Sequence, residues 1–317
     1  MIIPILQFII SKGTGEVAIK KLLSFSQYNG IQQTQQLCLN PSLLITALHL
    51  SLEVAETVVN SYKCALELHN ILCSHKVDLI WQGHPQYPLR LVNILGNDAP
   101  PYLFTRGNKE LFRKKSVGFC GARASSQKGL CIASDCSKIL VKNGFNIVSG
   151  YAKGVDLEAH STALKNSGTT TIVLAEGILK FSKKNEVKDL LNDTNHLVVS
   201  QFPPSLSWLA RNAMKRNHLI IGLSDAMVLI EAGTTGGTFA AGEATIKHNQ
   251  PLYVVDYATP PESASGNELL VQKGGVLLKQ TRQFEPNLNR LMDDAQEQFI
   301  INSTSKIGND SLFDFGL

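Results

Sequence analysis

Three short loops hold most of the residues whose types and spacing suit chemistry. Gly121-Ala122-Arg123-Ala124-Ser125 offers a guanidinium, a planar fan of donors that matches phosphate, at a turn that Gly121 lets run tight. Ser149-Gly150-Tyr151-Ala152-Lys153-Gly154 adds a second cation between glycines. Glu231 to Thr238 contains Gly233, Gly236 and Gly237 together with Thr234, Thr235 and Thr238. Loops of this composition expose backbone N–H groups, and where one opens a helix the dipole adds to its hold on an anion. Just upstream of the third loop stands Lys215-Arg216-Asn217, a basic helical stretch that points to the phosphates of a nucleic acid. The expected phosphate set is Arg123, Lys153, Lys215 and Arg216. Gly121, Ser149, Gly150, Gly154, Asn217, Thr235, Gly236, Gly237 and Thr238 complete the expected binding rim.

The chain offers little else that could react. Asp156 and His160 stand four apart on one helical face, but no third ligand or nucleophile accompanies them, so an acid that orients a structural histidine is the better account. The motifs call for no catalytic residue, no metal and no cofactor. Six cysteines, at 38, 64, 73, 120, 131 and 136, contain no Cys-x-x-Cys pair, which fits reduced and mostly buried thiols in a cytoplasmic protein. A net charge of +4 is too small to decide for nucleic acid without the local basic tract. The apolar start MIIPILQFII lacks a basic flank and a cleavage site, so no signal peptide is expected; no apolar run is long enough for a bilayer, and no membrane partner is expected.

The elements that must position these loops follow from periodicity. Residues 1–75 carry apolar residues at helical spacing, among them Leu22, Leu23, Leu44, Leu48, Val54 and Val58, and predict a small helical domain. Residues 76–115, broken by Pro85, Pro88, Pro100 and Pro101, read as a connector pinned by Trp81, Tyr87, Tyr102 and Phe104. From 116 the pattern changes to short apolar runs: Val117–Cys120, Phe145–Val148, Thr170–Leu174, Leu197–Val199, Ala226–Ile230 and Leu252–Val255, with helical patterns between most of them. That alternation predicts an α/β fold, a Rossmann-like parallel sheet with helices on both faces over residues 76–280. Ligands of such sheets bind at the carboxyl ends of the strands, where all three loops fall. Residues 281–317 read as a C-terminal tail.

At this point the order of motifs resembles a known family. SGYAKGVDLEAHSTAL at 149–164, GAR at 121–123, KRNHLIIGLSDAMVLIEAG at 215–233, TGGTFAAGEA and SGNELLVQKGG at 265–275 are similar, in sequence order, to the signature elements of the DNA-processing protein A (DprA/Smf) family. The resemblance implies an extended Rossmann-like domain that binds single-stranded DNA, a homodimer, and a RecA-type recombinase as partner in DNA uptake or recombination. A role in phage defence is equally open. It is a divergent match. His218 replaces the second arginine of the family's Arg-Asn-Arg, FSKKNE at 181–186 stands where a Tyr-Pro pair is expected, and too few residues follow 280 for the winged-helix domain of many members. Asn309 to Phe313 resembles a degenerate sliding-clamp docking peptide, although Asn309 stands where the peptide has glutamine and a tail folded back on the protein is the simpler account. The competing function is a small-nucleotide sensor or a phosphoribohydrolase-like protein of the same superfamily. Against the hydrolase, Ala241 falls where its catalytic glutamate would stand, and Glu243 is about 200° further round the helix.

Overall fold

The computed structural model describes residues 1–304. Six helices come first: α1 (Ile2–Ile10), α2 (Glu16–Asn29), α3 (Ile31–Leu37), α4 (Pro41–Leu48), α5 (Leu52–Asn60) and α6 (Tyr62–Ser74). Local chemistry sets several of their ends. Asn40 caps α4 by accepting from the Ser42 N–H at 2.9 Å, with Pro41 at the first helical position, and Ser51 caps α5. Their apolar faces meet around Ile5, Leu22, Leu44, Val58 and Leu72. Buried Gln7 ties the group together by donating to the carbonyls of Cys38 (3.1 Å) and Val58 (2.9 Å).

The rest of the described chain builds one nine-stranded sheet. Its elements are β1 (Asp78–Trp81), α7 (Leu89–Leu95), β2 (Tyr102–Gly107), β3 (Ser116–Cys120), α8 (Gln127–Lys142), β4 (Asn146–Ser149), α9 (Val155–Lys165), β5 (Thr170–Val173), β6 (His196–Ser200), α10 (Ala210–Gly222), β7 (Ala226–Leu229), α11 (Gly237–Lys247), β8 (Leu252–Val255), α12 (Asn267–Gln272), β9 (Val276–Leu278) and α13 (Asn289–Thr304). The strand order is β1-β2-β6-β5-β4-β3-β7-β8-β9, parallel from β6 through β9, with β1 and β2 added antiparallel at one edge. The six expected strands are all present, and both faces are covered. One face packs Val148, Val173, Leu197 and Leu229 under α7, α10 and α11; the other packs Val117, Phe119, Ile147 and Val228 under α8 and α9. The N-terminal helices cover the remainder of that second face. Their core runs without a break into Leu79, Phe104, Ile172 and Val198.

Two expectations need correcting. Residues 76–115 are not merely a connector. The prolines fall at element boundaries, Pro88 before α7 and Pro100-Pro101 before β2, so β1, α7 and β2 form between them. Arg90 of α7 then locks this segment to the sheet: it donates to the carbonyls of Leu223 and Lys114 (both 3.1 Å) and pairs at 3.2 Å with buried Asp225, which also accepts from the Ser116 N–H at 2.8 Å. Nor is all of 281–304 a loose tail. Leu288, Leu291 and Ala295 bury with Tyr253 and Val255, the Tyr253 hydroxyl donates to Asp294 at 2.6 Å, and Phe299 lies 5.6 Å from the Arg90 guanidinium. Leu288 just before α13, and Leu291 and Ala295 along an otherwise mostly polar helix, were too sparse to register as a pattern. The Asn309–Phe313 segment lies outside the described residues. Among the described residues no helix is long and apolar enough to cross a membrane. All six cysteines are free, but only Cys38, Cys120 and Cys136 are buried.

Candidate nucleic-acid interface

The strand order reverses between β3 and β7, because β4 to β6 lie on one side of β3 and β7 to β9 on the other. In a sheet of this kind the crevice beyond the carboxyl ends of those two strands is the place for a ligand. The loops after β3 and β7 meet there, and the Ala122 N–H donates to the Glu231 carbonyl at 2.9 Å across the gap. Glu231, fully buried, is the hub beneath them. Its carboxylate accepts from the Ser125 hydroxyl (2.8 Å), the Ser126 N–H (2.9 Å) and hydroxyl, the Tyr257 hydroxyl (3.1 Å) and the Ser263 hydroxyl (2.8 Å). Burial alone would push its pKa up, but the hydrogen bonds from Ser126, Ser125 and Ser263 outweigh it and hold the group below the usual carboxylate value. Gly129 is needed beside it, since a Cβ there would stand 2.4 Å from the carboxylate oxygen.

The loop after β4 is held from below by two side chains of α9. Asp156 accepts from the Ser149 hydroxyl at 2.9 Å and the Ala152 N–H at 3.2 Å. His160, fully buried, donates from Nε2 to the Gly150 carbonyl at 2.5 Å, while Nδ1 faces the Thr170 hydroxyl at 2.5 Å. Burial brings its pKa down to about 4, so it is neutral; it is the structural histidine that the sequence suggests, but its hydrogen bonds run to Gly150 and Thr170, and Asp156 instead holds Ser149 and Ala152. Gly154, at φ +82, lets α9 start within reach of the Arg123 loop; a Cβ there would lie 2.7 Å from the carbonyls of Ala122 and Arg123.

Around this crevice the structure brings together Gly121, Arg123, Arg216, Asn217, Gly237 and Thr238, which line one cleft, and Arg123, Lys153 and Arg216, which line an adjoining one of 480 Å³. Arg123 is exposed, its guanidinium 5.1 Å from the ring centre of Trp208, which is 46% exposed. Lys153 is exposed as well. α11 opens at Gly236-Gly237 with no side-chain cap, and Asn217 donates to the Gly237 carbonyl at 3.1 Å. Thr235 and Gly236 are exposed on the same loop.

The other two expected cations are placed differently. Arg216 is only 7% exposed and crosses over Gly150, where a Cβ would lie 1.5 Å from its Nη1. It donates to the Val173 carbonyl at 3.1 Å and faces Asp156 at 3.8 Å, leaving its buried Nε without a hydrogen-bond partner among the described residues. Burial lowers its pKa and Asp156 opposes that. It forms the floor of the clefts rather than their rim. Lys215 lies outside both clefts and pairs with Glu16 of α2. Sequence reasoning missed Trp208, Tyr151 and Lys184. The Lys184 ammonium lies 4.5 Å from the centre of the Tyr151 ring and donates to the Tyr151 carbonyl, and Tyr151 packs 5.4 Å from Phe181. Aromatic rings interleaved with cations give bases a face to stack on and phosphates a charge. In the sequence that signal is present as Phe181 beside Lys183-Lys184 and Trp208 beside Arg211. Glu243, the carboxylate nearest the hydrolase position, pairs with Lys273 at 3.0 Å, and Ala241 is buried.

Comparison with known proteins gives a consistent picture. A family model described as DNA recombination-mediator protein A matches residues 78–289. The chain is 31% identical over 196 residues to DNA processing protein DprA of Streptococcus pneumoniae, a match covering 61% of this chain and 67% of that one. The X-ray structure of DNA processing protein A from Streptococcus pneumoniae superposes with a TM-score of 0.70 at 25% identity, covering 86% of this chain and 92% of that one. DNA processing protein A from Helicobacter pylori, solved for its single-stranded DNA binding mode, superposes with a TM-score of 0.59 at 25% identity over 69% of this chain and 97% of that one.

Proposed function

The chain belongs to the DNA recombination-mediator protein A family, and from that premise we propose that it binds single-stranded DNA along the crevice between the β3 and β7 loops. The observation that carries the reading is the rim itself: exposed Arg123 against exposed Trp208, with Lys153 beside them and the uncapped start of α11 across the cleft. The cations take phosphates, and the rings of Trp208 and Tyr151 take base faces. Neither contact reads sequence, so binding along this crevice is general and falls as salt rises. Arg216, Asp156, His160 and Glu231 act one layer below, holding the loops in the shape that meets the strand.

In this reading the protein works by binding and not by turnover. It acts in the cytoplasm as a homodimer that passes the strand to a RecA-type recombinase, which fits a family described as recombination mediators. The experiment is fluorescence polarisation with labelled oligo-dT against rising salt, with duplex DNA and a panel of nucleotides as competitors. Displacement of the strand by a nucleotide, or preference for duplex, would replace this reading with the nucleotide-sensor or duplex alternative.

A further inference from the structure

The crevice does not end at α11. Met214, Asn217 and Gly237 also border a second cavity, of 390 Å³, between α2, the turn at 96–98 that follows α7, α10 and α11. Its lining is of two kinds. Ala240, Ala241 and Ala244 of α11, with Leu95 and Leu219, make a small-residue apolar floor. Glu16, Asp98, Lys215 and His218 supply charge and hydrogen bonding. An apolar bed with a few polar groups is how small-ligand sites are built, and the volume lies at the lower end of their range.

The charges suggest which ligand. Lys215 is held by Glu16, with the two side chains 49% and 39% exposed, and a half-exposed ion pair of this kind exchanges easily. Lys20 of α2 donates to the Asn97 carbonyl at 2.5 Å and so fixes the turn that carries Asp98. His218 faces His248 at 3.4 Å, with Asp98 and Lys247 as the other charges around it. Burial, then His248, lowers its pKa, which leaves Lys215 as the cation that lines the cavity, with Lys20 close enough to attract both Glu16 and Asp98. A phosphate arriving at Lys215 displaces Glu16. The Glu16 carboxylate, still attracted by Lys20, accepts hydrogen bonds only, and so does Asp98. Guanine offers two adjacent donors on one edge, N1–H and the 2-amino group. Adenine and cytosine offer an amino group beside an acceptor, and thymine a single N–H between two carbonyls.

We propose that this cavity is a guanine-nucleotide subsite, with phosphate on Lys215, the base over Ala240 and Ala244, and Glu16 with Asp98 accepting from the guanine edge. It rests on the reading of the crevice as a strand-binding groove, which delivers the nucleotide to it. It adds a local base preference to a groove that is otherwise indifferent to sequence.

The test compares the full chain on labelled oligo-dT and on the same strand carrying one central dG. The dG strand should bind about fivefold tighter, the low end for one two-point base contact. In Glu16→Gln the dT strand should bind more tightly, because Lys215 is released, while the ratio of the two affinities falls to one. Ala240→Phe, which fills the floor, should also bring the ratio to one. Equal affinity for both strands in the wild-type chain, with both bound, would overturn the subsite and leave the groove standing. If neither strand binds, both readings fall. A further arm separates the sources of guanine: guanosine monophosphate should erase the dG advantage and thymidine monophosphate should not. Binding of free guanosine monophosphate that Glu16→Gln abolishes, with no advantage for the dG strand, would show a free-nucleotide site and overturn the assignment to the strand.

Discussion

At the scale of single residues, the rim and the layer beneath it should respond to mutation in different ways. Arg123 is exposed and is held by a ring, not by the fold, so Arg123→Glu should weaken oligo-dT binding at least about tenfold, and lower its salt slope by about one phosphate's worth, without shifting the melting temperature. Trp208→Ala should cost about 1–3 kcal/mol of binding through lost stacking, again with an unchanged melt. Arg216 is a poor target for such a test, since it is buried against Asp156 and the Val173 carbonyl and its loss would disturb the loops. His160 gives a pH signature. Its native pKa of about 4 lies below its ordinary 6.5, so between these values the unfolded chain binds a proton that the native chain does not. Its contribution is complete above pH 6.5 and is lost as pH falls toward 4, by about 3 kcal/mol at most. Melting curves across that window should fall less steeply for His160→Gln, whose amide can still donate to Gly150.

Elements show what could be read from the sequence and what could not. β3 to β8 were legible because strands buried on both faces are written as unbroken apolar runs, such as Ala226–Leu229. β1, β2 and α7 were not, because Pro88, Pro100 and Pro101 looked like breaks when they are boundaries, and Pro85 lies in the turn between β1 and α7. The site was legible in its loops and less so in its side-chain positions. Arg216 shares a helical face with Asn212, Leu219 and Ile220, a spacing that signals burial, whereas the partner that claims Lys215 is Glu16, on a helix that only the folded chain brings near. The added edge also makes a prediction. Arg90→Ala would leave Asp225 buried without its cation and should destabilise the protein by about 3–5 kcal/mol in urea unfolding. A loss below about 1 kcal/mol would mean that the segment is held by its apolar contacts alone.

For the whole molecule, the strand-binding reading sets a preference: single strands over duplex, at every salt concentration where binding is measurable. Competition of unlabelled duplex against labelled oligo-dT checks it, and tighter duplex binding would sink it. A second consequence comes from the helices that precede the sheet. Their apolar residues and those of β1, β2, β5 and β6 form one continuous core, from Ile5 and Leu72 to Phe104 and Val198. Calorimetry should therefore record one melting transition for the chain, not two. Residue 76 marks a change of architecture but no seam. A cut or a gene fusion there would leave wet apolar surface on both pieces, so this head cannot be exchanged between relatives as a cassette; it has to change in step with the sheet that it covers.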